Sequence, residues 1–392
     1  MYKIKQKTSS ALELDVPDFD SRFQKLFESG IKIVYVKNEF DNSTFRYRAY
    51  NVVQSFAEQK DYIITYFKSS EIERVSGHID KIDIVIFQRA MWDIRIENFL
   101  YLAKGNGVPV IYDVDDLIIH PKYVPFYLNN LGLLNDGEAS HDVHFNFAAK
   151  YYTIASKCDG FIATNKYLAN IIEEDFSKPV WIIPNFLNKE QEYYSRIIRE
   201  TRKKNRLKFL MGYFSGSPSH RYDLEIIVDS VKALLAKYDD IYLKIVGFID
   251  IPQKLLEYTN RIIQKPFVSY QDLQYEIGEV DINLVPLQNN LFNNCKSELK
   301  YFEAGIVEVP SCCSPTYVYK EIVKDGENGF LCKEAEWFQR IESIYNERYD
   351  INKISENAFK TSIDLYGVEN QKELIEVVYK DILQKHQVKK IF

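Results

Sequence analysis

Short apolar runs, each followed by a longer amphipathic stretch, recur along the 392-residue chain. The runs KIVYV at 32–36 and IDIVIF at 82–87 are apolar almost throughout instead of alternating with polar residues. Such runs are typical of strands that are covered on both faces. Periodic helical patterns lie between them, for example at 48–58 and 92–104. Strands that alternate with helices predict a parallel, doubly wound sheet.

The alternation resumes at 207–214, with the run LKFLMGYF, after a polar segment. The sequence therefore predicts an α/β protein in which two Rossmann-like, doubly wound domains face each other across a cleft. We place the first domain at 1–190, a linker at 191–206, the second domain at 207–365, and a C-terminal helix that can pack back on the first domain at 366–392. Ligands of open parallel sheets bind at the carboxyl ends of the strands, so we expect a binding site between the domains.

Composition and charge argue against several classes of protein. Lys plus Arg number 50 and Asp plus Glu 56, a net charge of −6, and an acidic surface disfavours general binding to nucleic acid. No apolar run reaches the roughly 18–20 residues that span a bilayer, and the N-terminus lacks the apolar stretch of a secretory signal. The five cysteines include no Cys-x-x-Cys pair, which fits a reducing compartment. We expect a cytoplasmic protein, with peripheral contact at the inner face of the membrane as an option.

The densest chemical signal is the segment NNCKSELKYFEAG at 293–305. Ser297 is a candidate N-cap, and a helix that begins there presents free N–H groups and a positive dipole end to an anion. Lys296 and Lys300 add two cations, and Glu303 lies on the same helical face as Lys300. Cations beside a helix start suit a diphosphate, and the carboxylate suits ribose hydroxyls. An exposed helix with a Lys–Glu pair is the plainer alternative.

A loop rich in glycine and serine, GYFSGSPSHR at 212–221, follows the strand that begins at 207. Small residues after a strand let the backbone approach a phosphate closely. The loop is neither a Walker loop nor a dinucleotide fingerprint, and an ordinary turn is the alternative. The residues that fit phosphate contact are Ser215, Gly216, Ser217, His220 and Arg221.

Acidic residues follow another predicted strand, in the segment YDVDDL at 112–117. Three carboxylates at the end of a strand are costly unless they are solvated, paired or used. They can bind a divalent metal, which prefers oxygen ligands. Alternatively, one carboxylate faces the cleft while the others cap a helix or pair with arginine. The plainest alternative is that the carboxylates only cap the next helix. Two arginines follow the first strand and can either hold an anionic ligand or pair with those carboxylates; the residues concerned are Asp113, Asp115, Asp116, Arg46 and Arg48.

Taken together, these segments resemble the GT-B glycosyltransferases, specifically the retaining, nucleotide-sugar-dependent enzymes of family four (group 1). The resemblance covers roughly residues 30–365 and is carried by the segments at 112–117, 184–185, 212–221, 296–305 and 319–331. It implies the GT-B fold and transfer of a sugar from a nucleotide sugar, with retention, to a glycan, lipid-linked or protein-linked acceptor. It also implies a role in surface polysaccharide or glycoconjugate synthesis, with no metal and no cofactor beyond the nucleotide-sugar co-substrate.

The resemblance assigns roles by position. Glu303 corresponds to the carboxylate that binds the ribose, and Cys295 stands where relatives carry a first Glu, eight residues earlier. The implied catalytic residues are Asp115, Lys296 and Lys300. The implied donor-binding residues are Ser215, Gly216, Ser217, His220, Arg221, Gly247, Phe248, Phe267, Val268, Asn293, Ser297 and Glu303, with Gly247–Phe248 and Phe267–Val268 beside the nucleobase. The implied acceptor-side residues are Arg46, Arg48, Asp113 and Asp116.

Positive groups at the cleft suit this chemistry, because a departing nucleoside diphosphate builds negative charge on its β-phosphate. The Asp-x-Asp at 113–115 is similar to the motif of metal-dependent glycosyltransferases, but the doubly repeated α/β pattern and the helix with Glu303 favour the two-domain type. Two other functions remain open. One is a non-catalytic GT-B subunit that binds or stabilises a partner, and the other is a GT-B epimerase or phosphorylase.

Overall fold

The computed structural model describes residues 14–40, 43–135, 137–202, 207–216 and 221–389. The first of its two six-stranded sheets is wholly parallel, with strand order 2-1-3-4-5-6. Except for the short edge strand at 180–182, these strands are buried along most of their length, because helices cover both faces. Their bounds are β1 (Ile31–Lys37), β2 (Tyr62–Lys68), β3 (Ile84–Gln88), β4 (Val110–Val114), β5 (Gly160–Ala163) and β6 (Val180–Ile182).

Helices connect these strands and complete the first domain. A π-helical turn, Arg46–Tyr50, leads into the helix that follows β1, and short 3₁₀ turns occupy Lys25–Phe27, Ile79–Lys81 and Pro121–Tyr123. The α-helices are α1 (Phe19–Gln24), α2 (Asn51–Ser55), α3 (Ile72–Ser76), α4 (Ile94–Gly105), α5 (Val124–Leu131), α6 (Glu138–Ala155) and α7 (Lys166–Phe176).

The second sheet repeats the parallel architecture, with strand order 12-11-10-7-8-9. Its strands are β7 (Phe209–Ser215), β8 (Ile241–Gly247), β9 (Ile262–Lys265), β10 (Ile282–Val285), β11 (Ser311–Cys313) and β12 (Phe330–Leu331). The predicted α/β fold with two doubly wound sheets is therefore confirmed. The helices of this half, besides 3₁₀ turns at Gln253–Arg261 and Glu334–Glu336, are α9 (Arg221–Glu225), α10 (Val228–Lys237), α11 (Tyr270–Gly278), α12 (Leu291–Asn294), α13 (Leu299–Gly305), α14 (Tyr317–Ile322), α15 (Trp337–Tyr345) and α16 (Ile351–Tyr366).

The segment predicted as a linker is largely a helix, α8 (Lys189–Thr201). Asn188 and Gln191 form a capping box at its start. The helix packs on α11, where Ser195 Oγ donates to Gln274 Oε1 at 3.1 Å. A side chain at Gly278 would lie 2.5 Å from Cγ2 of Ile198, so this packing requires glycine. The connection between the halves is thus ordered through Thr201, while 203–206 lie outside the described residues.

The last helix, α17 (Val368–Lys389), packs on the first sheet. The Tyr379 and Tyr35 hydroxyls share a buried hydrogen bond of 2.8 Å. Near the far end of the helix, Trp181 Nε1 donates to Asp381 Oδ2 at 2.6 Å. The chain therefore returns from the second half to the first. None of the described helices is both long and apolar enough to cross a membrane.

Candidate active site

The carboxyl ends of strands from both sheets meet at one seam. Asn165 caps α7 after β5, and its Nδ2 donates to the carbonyls of Cys295 and Lys296 at 3.0 and 3.2 Å. Nearby, Asn290 Nδ2 donates to Asn130 Oδ1 at 3.2 Å, again between the two domains. These bonds hold the segment at 293–305 against the first domain. The segment that sequence analysis ranked first therefore lies at the seam.

Helix α13 begins one residue later than predicted. Its N-cap is Glu298, not Ser297, and the Glu298 side chain makes no capping hydrogen bond. The delay arises because the turn that ends α12 continues, with the Lys296 N–H donating to the carbonyl of Asn293 at 3.2 Å. Ser297 Oγ is left buried, with no hydrogen-bond partner among the described residues. It is a polar group at the seam, but it does not cap the helix.

Lys300 lies in the first turn of α13 with its ammonium group buried. Nζ has no hydrogen-bond partner in the described part of the chain and lies 4.8 Å from the centre of the Tyr213 ring. Burial lowers the pKa of Lys300 to about 8, against opposing attraction from Asp223 and with added repulsion from Lys296. A buried ammonium without a partner is costly, and an anionic ligand would satisfy it.

Glu303, one turn after Lys300, is buried against the first domain. The Tyr47 hydroxyl donates to its Oε1, and Arg46 Nη2 lies 4.0 Å from the same oxygen. Arg46 in turn lies over the rings of Tyr47 and Tyr270, at 3.9 and 4.4 Å from their centres. Burial raises the pKa of Glu303, while Arg46, Tyr47 and Lys300 counter the increase. Tyr47 was missed by sequence analysis, although it lies between the two arginines that were singled out.

A second charged cluster lies where β3 and β4 end. Arg89 Nε is 3.0 Å from Asp115 Oδ1, and Arg89 Nη2 is 3.6 Å from Asp116 Oδ2. Arg89 has a φ of 43°, a left-handed conformation that is strained for a residue other than glycine. Burial raises the pKa of Asp116, and the charges of Lys296 and Arg89 oppose this rise. The cluster thus spans the seam. Arg89, which lies two residues after a predicted strand, was missed by sequence analysis.

Arg48 and Asp113, which were predicted on the acceptor side, form an ion pair that is buried inside the first domain. Arg48 Nε and Nη2 donate to the two carboxylate oxygens of Asp113 at 2.9 and 2.8 Å, and both side chains are 1% exposed. Arg48 Nη1 also donates to the carbonyl of Ile183 at 2.6 Å. Each of the two side chains is enclosed within the first domain and paired with the other, so neither is exposed to an acceptor in this structure. Of the two alternatives for Arg48, pairing with a carboxylate is the one observed.

The same pairing separates the members of the Asp-x-Asp motif. Asp113 is held by Arg48, whereas Asp115 is held by Arg89. The two carboxylates therefore belong to different ion pairs. Among the described residues, no group of three or more His, Cys, Asp or Glu side chains is arranged to hold a metal ion.

The Gly/Ser loop can be described only in part. Strand β7 ends at Ser215, and Gly216 is exposed after it. Ser217, His220 and the side chain of Arg221 lie outside the described residues. Gly247, at the end of β8, has a φ of 116°, and a Cβ there would lie 1.8 Å from the Ser215 carbonyl oxygen. The ends of β7 and β8 approach each other so closely that only glycine fits at position 247.

Two of the residues predicted beside the nucleobase form an exposed aromatic pair. Phe248 and Phe267 stack with their ring centres 5.0 Å apart and an angle of 19°, and they are 53% and 48% exposed. Val268 is partly buried against the core. Stacked phenylalanine rings at the ends of β8 and β9 form a flat apolar surface of the kind on which a base can stack.

Asn293 and Cys295 are both fully buried. Asn293 Nδ2 donates to the carbonyl of Gln288 at 2.9 Å, whereas its Oδ1 has no hydrogen-bond partner in the described ranges. Cys295 Sγ donates to the carbonyl of Leu291 at 3.3 Å, and burial raises the pKa of the thiol. A neutral thiol bonded to its own helix cannot replace a carboxylate that accepts hydrogen bonds from a sugar.

Comparisons with known proteins agree with this architecture. None of the curated proteins matches the sequence. The structure is similar to that of HepE from Anabaena (TM-score 0.61, 14% identity, 90% of this chain and 100% of that chain) and to a glycosyltransferase from Rickettsia africae (0.61, 14%, 90% and 99%). It is also similar to sucrose-phosphate synthase from Thermosynechococcus elongatus (0.58, 12%, 91% and 100%). Residues 209–347 match the family described as glycosyl transferases, group 1. The stretch at 209–347 is therefore similar to group 1 glycosyltransferases, within a chain that has the GT-B fold.

Proposed function

We propose that this protein is a retaining glycosyltransferase that transfers a sugar from a UDP-sugar to a glycan or glycoconjugate acceptor. The observation that carries the proposal is the buried Lys300 ammonium, which has no hydrogen-bond partner in the described part of the chain. Lys300 lies in the same short helix as Glu303. Both residues lie within the stretch at 209–347 that matches the group 1 family. HepE, which shares the fold, has been crystallised with UDP and with UDP-glucose, and this supports a uridine nucleotide as the donor.

Each part of the donor has a suitable group at the seam. The stacked Phe248 and Phe267 suit the base, and Glu303 suits the ribose hydroxyls. Lys300 and Lys296 suit the diphosphate, because their charges oppose the negative charge that builds as the nucleotide leaves. These cations do the work that a divalent ion does elsewhere, so we propose that transfer is independent of metal.

The chemistry follows from these positions. The bond between the sugar C1 and the β-phosphate oxygen breaks, and its electron pair goes to the phosphate, which Lys300 and Lys296 stabilise. The acceptor hydroxyl forms the new bond to C1 on the same face, and its proton passes to the leaving phosphate oxygen. Asp115, held by Arg89 at 3.0 Å, orients the acceptor hydroxyl or the donor sugar. This sequence retains the configuration at C1.

The test measures UDP release from a panel of UDP-sugars with candidate acceptors, in the presence and absence of EDTA. Lys300→Met should lower the rate by about 100-fold or more, because one preorganised charge is lost from the leaving group. Lys320→Met, at an exposed lysine on α14, is the matched control and should leave the rate unchanged. The configuration of the product at C1, determined by NMR, tests retention. Release that stops with EDTA would contradict metal independence.

For the cell, we propose synthesis of a surface polysaccharide or glycoconjugate on the cytoplasmic side, with peripheral contact to the membrane. The sequence supports this placement, because lysines recur at 385–390, near the end of the chain, and lysines attract anionic lipids. Fractionation of cells into cytosol and membrane, with and without a high-salt wash, tests this placement. Recovery of the protein in the cytosol before any wash would contradict the membrane contact.

A second candidate function is a non-catalytic GT-B subunit that binds a partner. The observation in its favour is the neutral Cys295 thiol, at the position where the implied first Glu is absent. A protein of this kind would bind UDP. It would, however, form no free UDP from any UDP-sugar, whichever acceptor is supplied. The UDP-release assay therefore separates the two functions.

A further inference from the structure

A cavity of about 890 Å³ lies beside the proposed donor site and is not used by it. Its floor is formed by the chain that follows β10, β11 and β12, at 287–289, 314–315 and 332–334. Its opposite wall comes from the first domain, from lining residues between 129 and 135, in the last turn of α5 and just after it. The volume lies within the roughly 300–1,000 Å³ typical of sites for small ligands.

The cavity shares a wall with the donor site. Gln288 lines the cavity, and its carbonyl accepts from Asn293 Nδ2 at 2.9 Å, while its N–H donates to Asp223 at 3.1 Å. Asp223 is also the residue whose charge acts most strongly on the Lys300 ammonium. A ligand in the cavity would therefore lie next to the groups assigned to the diphosphate and donor sugar.

The two walls are fixed to each other. Asn130 and Asn290, the chain neighbours of lining residues Asn129 and Asn289, are joined by the hydrogen bond of 3.2 Å described above. A Cβ on Gly132 would lie 2.2 Å from the Tyr222 ring, so that ring rests directly on the first domain. The cavity is thus a built space between the domains.

The lining is suited to hydroxyl groups. Asn289 Oδ1 accepts from Asn294 at 3.1 Å, which leaves the Asn289 amide hydrogens as donors. Ser314 Oγ accepts from the Leu287 N–H at 2.9 Å, which leaves its hydroxyl hydrogen to donate. Tyr222 is 42% exposed and adds an aromatic ring on which the C–H face of a sugar can pack.

The charge of the lining disfavours an anion. Among the described residues that line the cavity, Lys333 is the one cation, and Glu225 and Glu334 are the two carboxylates. One positive and two negative charges give the described part of the lining a net charge of −1, which disfavours a phosphate or a uronic acid. Amides, hydroxyls and an aromatic ring without excess positive charge match a neutral polyhydroxylated ligand.

We propose that this cavity binds the sugar units of a neutral oligosaccharide acceptor that lie behind the unit receiving the new sugar. The proposal rests on the proposed function, since it names the acceptor class for that reaction. It places the growing chain along the ends of β10–β12, between the two domains. A neutral glycan acceptor, rather than a lipid phosphate, fits the charge and polarity of the described walls.

The test uses the full-length protein saturated with UDP and titrated with neutral tetrasaccharides built of glucose, galactose, rhamnose or N-acetylglucosamine. A tetrasaccharide that contains uronic acid is the charged counterpart. We expect at least one neutral tetrasaccharide to bind, and Tyr222→Ala to weaken that binding by about tenfold, through loss of the ring contact. Tyr193→Ala removes an exposed tyrosine on α8, outside the cavity, and should leave binding unchanged.

The outcomes are distinguishable. Failure to bind UDP would overturn the proposed function and this proposal with it. Normal UDP binding with no neutral tetrasaccharide bound, or with the uronic acid compound preferred, would overturn the cavity proposal alone. An intact tetrasaccharide affinity in Tyr222→Ala would also overturn it, and a normal UDP affinity in that variant shows that it is folded.

Discussion

The Tyr47 hydroxyl donates a hydrogen bond to Oε1 of Glu303, and this bond joins the two domains. Tyr47 is 5% exposed and Glu303 7%, so water does not compete effectively for either group. The bond connects residues 256 positions apart, from the π-helical turn of the first domain to α13 of the second. Under the proposed function, the ribose hydroxyls need the same carboxylate. Tyr47 therefore occupies one of the two carboxylate oxygens, Oε1, that the nucleotide could use.

Tyr47→Phe should strengthen UDP binding by about tenfold, because removing the hydroxyl releases a charged acceptor for the ribose. Isothermal titration with UDP measures this change. Tyr50→Phe is a matched control, since its hydroxyl also donates to a carboxylate, that of Glu190, at 3.3 Å. Weaker UDP binding in Tyr47→Phe would show instead that Tyr47 positions Glu303 for the nucleotide.

The sequence was sufficient for the fold and for the segment at the seam. Buried parallel strands are apolar along their length, and for this reason a strand such as β1, predicted at 32–36, could be placed within one residue of its bounds. Lys300 and Glu303 could be placed together because helical spacing fixes residues that are one turn apart. Both features depend on short-range periodicity, which a sequence records directly.

The sequence did not predict which arginine pairs with which carboxylate. Arg46 and Arg48 have similar neighbours in sequence, yet one faces Glu303 and the other is enclosed with Asp113. Which arginine reaches which carboxylate depends on how the π-helical turn is rotated against β4, and periodicity does not encode this rotation. Arg89 was missed for a related reason, since its position at the seam arises from a left-handed φ that the sequence does not signal.

The affinity for UDP should fall as pH rises above about 8. Burial lowers the pKa of Lys300 to about 8 in the free protein, and a bound diphosphate should raise it again. When the pH is below that pKa, the Lys300 ammonium is charged in both the free and the UDP-bound protein. When the pH is above it, the lysine must take up a proton for UDP to bind, and the affinity for UDP falls by up to tenfold per pH unit. Titration calorimetry from pH 7 to pH 9.5, in buffers of different ionisation enthalpy, measures the proton uptake. Lys300→Met should remove this uptake, and its persistence would assign it to another group.

Asp113→Asn should destabilise the first domain severely. The substitution leaves the Arg48 guanidinium buried without its counter-charge, which typically costs about 3–5 kcal/mol. The free energy of unfolding in urea measures the loss. Asp20→Asn, which breaks an exposed pair with Arg74 at 3.1 Å, is the matched control and should cost under about 1 kcal/mol. Equal costs for the two variants would contradict the structural role of the buried pair.

Gly247→Ala should disturb the donor site as well as the fold. A Cβ would lie 1.8 Å from the Ser215 carbonyl oxygen, and the φ of 116° is unfavourable for alanine, so the ends of β7 and β8 must separate. We expect a loss of more than about 1 kcal/mol in unfolding free energy and weaker UDP binding. Gly105→Ala, at the end of α4, meets no atom within 4 Å, so it should leave UDP binding unchanged and should not lower the unfolding free energy. Unaltered UDP affinity in Gly247→Ala would remove this strand end from the donor site.

Arg89 allows backbone strain and side-chain function to be separated. Arg89→Ala and Arg89→Gly both remove the guanidinium that holds Asp115 at 3.0 Å, but only glycine relieves the φ of 43°. The glycine variant should therefore be more stable than the alanine variant by about 1 kcal/mol. Both should lose transfer activity by about 100-fold, because Asp115 is no longer held in place.

The conservative variant Arg89→Lys distinguishes positioning from a purely structural role. Lysine keeps the charge but cannot reach both Asp115 and Asp116 with a planar group, so it should restore stability more fully than turnover. Arg95→Ala, which breaks a pair with Asp93 at 2.5 Å, is the control for loss of an arginine elsewhere in the first domain. If activity follows stability across all three Arg89 variants, the strained arginine supports the fold and not the reaction. If the stable glycine variant is inactive, the strain at Arg89 is retained because it places this guanidinium at the seam.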